Sequence, residues 1–361
     1  MPWSWNPQLK RNAYYPHEVK GDHAFHWGMV YNINRCLNCQ TCTMACKSTW
    51  TFSRGQEYMW WNNVETRPFG GYPRLWDVKL LQMLPKGKTI FEAAPEGQNA
   101  LGYLPADEEY RFPNVHDDRA TGRYPKGEAI VTDPAMGQHH QMWFFYLPRL
   151  CNHCKRPACL AACPRNAIYK RDEDGIVLVD QKRCRGYRKC VEACPYKRPF
   201  YNAFTGISEK CIGCYPRLEQ GEVTRCVSAC PGRIRLFGNI NDPESPVSHF
   251  VREGIALPLY PQFGTEPQIY YIPPRWAPVN FLAQMFGNYD PETIRSAIHK
   301  YVHPSKETLA LLGLFGSTQQ VIEKYTLAGN EVRGYSKGRL VVTVPIEEKV
   351  VVRSADHFNQ T

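Results

Sequence analysis

Residues 184–195 read CRGYRKCVEACP and match the bacterial cluster-binding run C-x2-C-x2-C-x3-C-P at every cysteine position except one. Cys184, Cys190 and Cys194 stand at ligand positions, and Pro195 follows the last of them. Tyr187 stands where the second cysteine is expected. The stretch therefore predicts either a decayed iron–sulfur motif or a site built for a cluster with one iron fewer.

Three complete cysteine groups accompany this motif. A cubane cluster needs four soft thiolates, and a C-x2-C-x2-C loop can supply three of them from one tight turn of chain. Zinc sites take cysteines in pairs and do not need runs with x2, x2 and x3 spacing, so zinc is a poor alternative. The complete groups are Cys36, Cys39, Cys42 and Cys46; Cys151, Cys154, Cys159 and Cys163; and Cys211, Cys214, Cys226 and Cys230.

The last cysteine of each run is expected to ligate a different cluster from the others, as in two-cluster ferredoxins. The second and third motifs span 151–194, about the size of a small ferredoxin, so we predict that they pair and that the first and fourth motifs pair around them. The predicted ligand sets, numbered first to fourth, are Cys36, Cys39, Cys42 and Cys230; Cys46, Cys211, Cys214 and Cys226; Cys151, Cys154, Cys159 and Cys194; and Cys163, Cys184 and Cys190.

Tyr187 then faces the vacant corner of the fourth set. All 15 cysteines are used, with none left over, which argues against a decayed motif. A cubane that lacks one thiolate readily loses that iron, so we predict three [4Fe–4S] clusters and one [3Fe–4S] cluster, the last with a raised reduction potential. The Tyr187 ring is expected to fill the corner, with ligation of iron by its phenol as the alternative.

Composition limits the other classes of function. The formal charge of +10 is typical of nucleic-acid binding. The predicted clusters contribute roughly −8 and leave about +2, so we predict a counter-charge to the clusters and no nucleic-acid partner. No stretch approaches the roughly 18–20 apolar residues of a membrane span. The start of the chain shows no signal segment, which leaves open the cytoplasm or export in folded form with a signal-bearing partner.

The sequence predicts an α+β fold of two nested, pseudo-two-fold related modules, each similar to a two-cluster bacterial ferredoxin. Long loop-rich insertions and a partly helical C-terminal extension complete the fold. The predicted parts are an N-terminal docking arm, 1–24; an outer module, 25–50 with 205–240; an insertion that contacts other subunits, 51–145; an inner module, 146–204; and the extension, 241–361.

A few elements can be predicted individually. GIVLVD at 175–180 is expected to form a strand of a small antiparallel pair. Helices are expected over PETIRSAIHKYV and over SKETLALLGLFGSTQQVIEKY, with Ser305 as the cap of the second. RLVVTVPIEEKVVVR is expected to be a strand pair or an extended arm.

Several residues beside the motifs have more ordinary interpretations. His153, inside CNHC, is expected to be a hydrogen-bonding neighbour or a solvated side chain rather than a ligand. Four basic residues are expected either to balance cluster charge or to face solvent; they are Lys155, Arg156, Arg185 and Arg188.

The order of the four motifs, CxxCxxCx3C, CxxCx4Cx3CP, CxxΦxxCx3CP and CxxCx11Cx3CP with Φ aromatic, resembles the β subunits of molybdenum enzymes of the dimethyl sulfoxide reductase superfamily. An aromatic residue at this position of the third motif resembles the type II branch of the superfamily. That branch usually has tryptophan where this chain has Tyr187. The resemblance covers most of residues 25–240. The segments WNPQLKRNAYYPHE and CKSTWTFSRGQEYMWWNNVETRPFGGYPRLWD are most similar to nitrite oxidoreductase β subunits, in the same branch as respiratory nitrate reductase.

This resemblance implies a non-catalytic electron-transfer subunit. Its partners would be a catalytic α subunit with a molybdenum bis-pterin cofactor and a haem b γ subunit or cytochrome. The resemblance implies that the first set lies nearest the α subunit and the fourth nearest the haem. The reaction is expected to be that of a nitrite oxidoreductase or nitrate reductase. Other type II enzymes, acting on ethylbenzene, selenate, chlorate or perchlorate, are the alternative.

A stand-alone polyferredoxin is a further alternative, separable by co-purification with a large subunit. The cysteine-free residues 47–150 and the long tail argue against it, since a simple carrier needs neither. A β subunit of the formate dehydrogenase kind would be expected to carry four cysteines in the third motif, where this chain has three.

Overall fold

A computed structural model of the chain describes residues 3–6, 11–14, 26–68, 70–93, 102–110 and 143–347. The helices are α1 Thr41–Trp50, α2 Trp76–Met83, α3 Ile90–Ala93, α4 Ala158–Ala161, α5 Lys189–Ala193, α6 Tyr215–Leu218, α7 Arg225–Ser228, α8 Pro246–Arg252, α9 Val279–Phe286, α10 Pro291–Val302 and α11 Lys306–Gly313. The strands are β1 Trp3–Asn6, β2 Arg11–Tyr14, β3 Trp27–Asn32, β4 Asn63–Arg67, β5 Phe145–Arg149, β6 Ile168–Lys170, β7 Val177–Val179, β8 Phe200–Asn202, β9 Ile207–Glu209, β10 Arg235–Asn239, β11 Leu257–Pro258, β12 Ile269–Ile272, β13 Lys324–Ala328, β14 Glu331–Ser336 and β15 Arg339–Pro345. Within these ranges no helix has the length and apolar character needed to cross a membrane.

A four-stranded mixed sheet runs through the protein core in the order β10–β3–β12–β11. β3 is buried along its whole length, as its mostly apolar sequence WGMVYN favours. It pairs antiparallel with β10 and parallel with β12. Because β3 leads into the first cysteine motif and β10 follows the fourth, this pairing holds the two ends of the cysteine-bearing region side by side.

The helices that carry cysteines pack in two pairs. α1, with Cys42 and Cys46, contacts α7, with Cys226. α4, with Cys159, contacts α5, with Cys190. The first motif therefore packs on the fourth and the second on the third, and their division into nested modules stays a prediction.

Two short hairpins, β6–β7 and β8–β9, belong to the same part of the chain. β7 lies within 175–180 and pairs antiparallel with β6. The strand predicted there is thus confirmed.

β4 anchors the chain that follows the first motif. It pairs antiparallel with β5, which ends two residues before Cys151. Both strands carry charged side chains that are buried. The charges form ion pairs, since Glu65 lies 2.6 Å from Arg67 and 2.5 Å from Arg149. The predicted arm 1–24 lies outside the described residues apart from β1 and β2, and the insertion 51–145 is described only up to residue 93 and over 102–110 and 143–145.

In the C-terminal extension, one predicted helix is confirmed and the next is shorter than predicted. α10 covers the predicted PETIRSAIHKYV, with proline at its first position. The helix predicted to start after Ser305 ends at Gly313, and ten residues separate it from strand β13. Gly316 has φ of 60°, a left-handed conformation that a continuing helix cannot include. The prediction of helix as far as Tyr325 was wrong.

The strand predicted at the end of the chain is present, but its partner strand was not predicted. β15 covers the first part of RLVVTVPIEEKVVVR and pairs with β14, which precedes it in the chain. The sequence EVRGYS does not by itself predict the strand β14, because only part of it is apolar. Residues 348–361 lie outside the described part.

Replacing Ser305 by alanine is expected to lower stability by about 1 kcal/mol. The Ser305 hydroxyl oxygen accepts a hydrogen bond from the Thr308 backbone N–H at 3.1 Å and so caps α11. Thermal unfolding of the two proteins measures the effect. Ser305→Asp keeps an acceptor at the cap and should unfold close to the wild-type temperature; equal losses in both variants would contradict a capping role.

Candidate iron–sulfur centres

The thiols of the second predicted set line one cavity. Cys46, Cys211, Cys214 and Cys226 border about 340 Å³ of space between protein atoms, part of it open to solvent. All four are buried. The remaining wall is mostly apolar and aromatic and includes Trp27, Met29, Trp50, Trp61 and Leu150.

The third set borders a second cavity, of about 360 Å³, formed by Cys151, Cys154, Cys159 and Cys194. His153 is buried in its wall. The His153 Nδ1 accepts a hydrogen bond from the backbone N–H of Val177 at 3.1 Å, which confirms the prediction of a hydrogen-bonding neighbour. Burial, and then the nearby cations Lys210 and Lys170, hold the His153 pKa well below its ordinary value, so the ring is neutral.

The three thiols of the fourth set, Cys163, Cys184 and Cys190, border a third cavity of about 330 Å³. Tyr187 also borders it and is 61% exposed. Its ring therefore lies at the protein surface beside the cavity. Ser208 closes another side of the cavity, and its backbone N–H points to the Cys184 sulfur at 3.4 Å.

The first set lies closest to the surface. Cys39 is exposed, Cys36 and Cys230 are half-buried, and Cys42 is buried. Burial, with smaller contributions from Cys42 and Cys230, raises the pKa of Cys36 to about 12. The structure therefore brings thiols of the first and fourth motifs together, as the pairing requires.

The cysteine loops share one backbone turn. The residue two positions after the first cysteine of each motif has a positive φ: Asn38 53°, His153 43°, Gly186 67° and Gly213 62°. Left-handed residues in such loops aim successive N–H groups at an enclosed anion, and many iron–sulfur sites use this arrangement. A Cβ at Gly186 would lie 2.3 Å from the Gly206 carbonyl oxygen, so glycine is required there.

The third motif has kept the loop of a complete site despite its tyrosine. Gln40, just after Cys39, has φ of 57°, and Arg188, just after Tyr187, has φ of 58°. Each of these residues precedes the helix that carries the next cysteine. A decayed motif would be free to lose this strained turn.

The turns after the last cysteines repeat as well. Asn166, Lys197 and Arg233 each stand three residues after a Cys-Pro pair begins, with φ of 48–49°. Each donates its backbone N–H to the carbonyl oxygen of that cysteine, at 3.1–3.2 Å. Proline and a left-handed residue together redirect the chain after its ligand in all three motifs.

Hydrogen bonds to sulfur are part of the site that sequence spacing did not identify. The indole N–H of Trp50 donates to the Cys214 sulfur at 3.2 Å, and the Ala167 N–H donates to the Cys163 sulfur at 3.2 Å. Trp50 lies on the first motif's helix and Cys214 in the fourth motif, so only the pairing of the two motifs brings them together. Such bonds tune cluster reduction potentials.

Replacing Trp50 by phenylalanine is expected to lower the reduction potential of the second cluster by about 20–60 mV. The change removes a hydrogen bond that contributes about 1 kcal/mol, and the sulfur that accepts it becomes more negative on reduction. For a one-electron couple, 59 mV corresponds to a tenfold change in the equilibrium constant. Redox titration followed by electron paramagnetic resonance measures it. Trp276→Phe is the matched control, because its indole donates to the Phe144 carbonyl oxygen and not to a sulfur. An unchanged potential in Trp50→Phe would contradict the role.

The thiols fit iron–sulfur clusters in chemistry and arrangement. All 15 cysteines are free thiols. Burial raises the pKa of Cys190 to about 12 and of Cys214 to about 11, so these thiols are protonated at neutral pH until a metal displaces the protons. In the described ranges, no group of three His, Cys, Asp or Glu side chains is placed to hold a single metal ion. The donors instead surround cavities, and all of them are sulfur, the ligand that iron–sulfur clusters use.

Of the four basic residues selected from the sequence, Arg185 and Arg188 border the cavity of the fourth set, and Lys155 and Arg156 do not border a cavity described above. Lys155 and Arg156 lie 3.7 and 3.5 Å from Glu266, and Arg185 donates to the Cys184 carbonyl at 2.9 Å. Arg188 lies over the Tyr201 ring. The sequence could not identify which cations are buried; these are Arg67, Arg149, Lys170, Lys197, Arg198, Lys210 and Arg235 in the described part of the chain.

Comparison with known proteins agrees with this arrangement. The family model described as a 4Fe-4S dicluster domain matches residues 142–240. Dimethylsulfide dehydrogenase subunit beta of Rhodovulum sulfidophilum is 47% identical over 259 residues, covering 68% of this chain and 77% of the relative. Selenate reductase subunit beta of Thauera selenatis is 44% identical over 265 residues, covering 68% and 76%. The chain belongs to the β subunits of type II molybdoenzymes.

The family extends to respiratory enzymes of lower identity. Respiratory nitrate reductase 2 beta chain of Escherichia coli K12 is 32% identical over 377 residues, covering 75% of this chain and 73% of the relative. This type II β subunit is thus an electron-transfer subunit of a molybdoenzyme, with iron–sulfur clusters and a catalytic partner. The ferredoxin-like dicluster match and the mixed helix and strand content agree with the predicted fold class.

Proposed function

We propose that this β subunit carries electrons through three [4Fe–4S] clusters and one [3Fe–4S] cluster, held by the four ligand sets. One observation carries the assignment: each of the three cavities is bordered by the thiols of a single predicted set and by no cysteine of another. When bound, each cluster accepts and releases one electron. The chain supplies ligands, spacing, burial and hydrogen bonds, and makes no bond in the substrate.

Links within the chain support the proposed order of the sets. Leu150 borders the second cavity and Cys151 the third, and Lys210 and Cys211 border the third and second in the same way. Neighbouring residues therefore connect these two sites covalently. Within α1 the first and second sets share one helix, and Cys190 and Cys194 join the fourth to the third. These links support a linear order from first to fourth, with motifs one and four as the outer module and motifs two and three as the inner one.

Both ends of this order reach the surface. Beside the first set, Leu37 and Met44 are exposed apolar side chains, 70% and 55% accessible. Beside the fourth set, Tyr187 is exposed in the same way. We assign the molybdenum bis-pterin subunit to the first end and a haem b subunit or cytochrome to the fourth, with the arm 1–24, the insertion 51–145 and the extension 241–361 as surfaces for contact.

The reaction proposed for the complex is nitrite oxidation or nitrate reduction. Its support is the similarity of the N-terminal segment and of the stretch after the first motif to nitrite oxidoreductase β subunits. The relatives act on different substrates by name, including dimethylsulfide, selenate and nitrate. The substrate is therefore decided by the catalytic partner.

Purification of the complex from its native host tests the proposal. A tagged β subunit should bring down a large subunit with about one molybdenum per chain, and the β subunit should contain about 15 iron atoms. The complex should interconvert nitrate and nitrite with an artificial electron carrier. Full iron content without molybdenum would instead indicate a stand-alone polyferredoxin, and activity only with another oxyanion would replace the substrate.

A further inference from the structure

Arg235 is a cation in the interior of the protein. It is the first residue of β10, it pairs with Tyr31 of β3, and its side chain is fully buried. Its guanidinium carbon lies 4.6 Å from the centre of the Tyr31 ring. The position is five residues after Cys230, at the inner face of the first and fourth motifs.

No carboxylate pairs with this guanidinium in the part of the chain that the structure describes. Its Nη2 donates to the Asn62 amide oxygen at 3.2 Å, and its Nε and Nη1 have no hydrogen-bond partner there. The buried Arg67 and Arg149 differ, since both pair with Glu65. A buried charge without a counter-charge costs several kcal/mol, so a partner for Arg235 is required.

Arg235 lies next to the second cavity, because Asn62, which accepts its Nη2 hydrogen bond, borders that cavity together with the thiols of the second set. Burial alone would lower the pKa of Arg235, but Cys42, Tyr31, Cys226 and Cys230 raise it well above its ordinary value. Arg235 in turn lowers the pKa of Cys36 and Cys46, against the larger effect of burial.

These neighbours belong to two ligand sets and no more. Cys36, Cys42 and Cys230 are in the first set, and Cys46 and Cys226 are in the second. The cations that act on buried thiols of the third set are different ones, Lys170, Lys197 and Lys210. Arg235 therefore lies beside the first two centres.

We propose that Arg235 is the counter-charge shared by the first and second clusters and holds both reduction potentials high. The inference rests on the proposed ligand sets. A fixed positive charge in a low-dielectric interior favours the reduced, more negative state of each neighbouring cluster. The unpaired Nε and Nη1 supply the donors that such an anionic neighbour accepts.

Redox titration of the intact complex, followed by electron paramagnetic resonance, tests this role. Arg235→Gln should lower the midpoint potentials of the first and second clusters together and leave those of the third and fourth unchanged. Arg235→Lys keeps the charge and should hold all four near wild type. Arg333→Gln removes a positive charge from an exposed pair with Glu331 in the extension and should shift none of them.

The outcome is decided by comparing the two Arg235 variants. Loss of iron from the first two sites in Arg235→Gln, with retention in Arg235→Lys, would also support the role, because charge rather than shape is then required. Equal potentials or equal loss of iron in the two variants would overturn it. A wild-type complex without four clusters would overturn the proposed function instead, so the two failures are distinguishable.

Discussion

Replacing Glu65 by glutamine is expected to destabilise the chain by about 3–5 kcal/mol, because it leaves the buried Arg149 without its carboxylate and the buried Arg67 with Asp77 alone. Glu65 is fully buried and lies 2.6 Å from Arg67 and 2.5 Å from Arg149. It also accepts hydrogen bonds from the Tyr72 backbone N–H at 2.9 Å and the Trp76 indole at 3.3 Å. Among the described residues only Glu65 forms an ion pair with Arg149, whereas Asp77 lies 2.8 Å from Arg67.

The consequence reaches the third ligand set. Arg149 donates to the carbonyl oxygens of Tyr196 and Tyr72, both at 2.9 Å. It also stands two residues before Cys151, and Tyr196 two residues after Cys194. Loss of the Glu65 charge should therefore reduce iron retention at the third site before the others, as well as the unfolding temperature.

Two further variants separate the lost charge from lost packing. Glu65→Gln combined with Arg149→Gln removes one charge of each sign and should recover part of the stability. Glu331→Gln breaks an exposed pair with Arg333 and should cost only about 0–1 kcal/mol. The idea fails if the double variant is as unstable as the sum of its two single variants.

The same ion pair predicts a pH dependence. Burial alone would raise the pKa of Glu65, but Arg149 and Arg67 hold it at about 2, below the ordinary value of 4.5. The stability from the ionised carboxylate is complete above pH 4.5 and is lost as the pH falls through about 2. The difference in unfolding temperature between wild type and Glu65→Gln should therefore be constant above pH 5 and shrink towards pH 3.

Replacing Tyr187 by cysteine is expected to convert the fourth centre from a three-iron to a four-iron cluster. The loop already has the required shape, because Gly186 and Arg188 match the conformations of Asn38 and Gln40 around Cys39. The new thiolate would hold the fourth iron and add negative charge, so the reduction potential should fall. Since Tyr187 is 61% exposed, the change leaves little buried space and should cost little stability.

Electron paramagnetic resonance of the air-oxidised variant measures the conversion. The three-iron signal should disappear, and a new signal should develop only on strong reduction. Tyr187→Phe is the control: it keeps the ring, lacks the hydroxyl and should retain the three-iron signal. If the phenol were a ligand of a fourth iron, wild type would lack the three-iron signal and Tyr187→Phe would gain it.

The chemistry was readable from the sequence because cluster ligands must occur at fixed spacing within one short loop. The pairing of motifs followed from the crossover of the last cysteine, and α1 against α7 and α4 against α5 agree with it. Surface basic residues such as Lys155 were equally visible, but sequence does not report burial. Arg235 looked like any other arginine because its burial depends on β3 and β10 pairing across 200 residues.

Long-range contacts also explain why Trp50 and Glu65 could not be identified from the sequence. Trp50 meets the Cys214 sulfur only because two distant motifs pack together. Glu65 in NVETR resembles an exposed strand residue, and its partner Arg149 is 84 residues away. The helix predicted beyond Gly313 failed for the opposite reason, since apolar periodicity continued while the backbone turned at Gly316.

The most direct test of the four-cluster account is low-temperature electron paramagnetic resonance of the purified, air-oxidised complex. The account predicts a strong, near-isotropic [3Fe–4S] signal that disappears on mild reduction, followed by signals from three [4Fe–4S] clusters as the potential is lowered further. Four reducible cubanes with no three-iron signal would contradict it, because a group other than cysteine would then complete the site beside Tyr187.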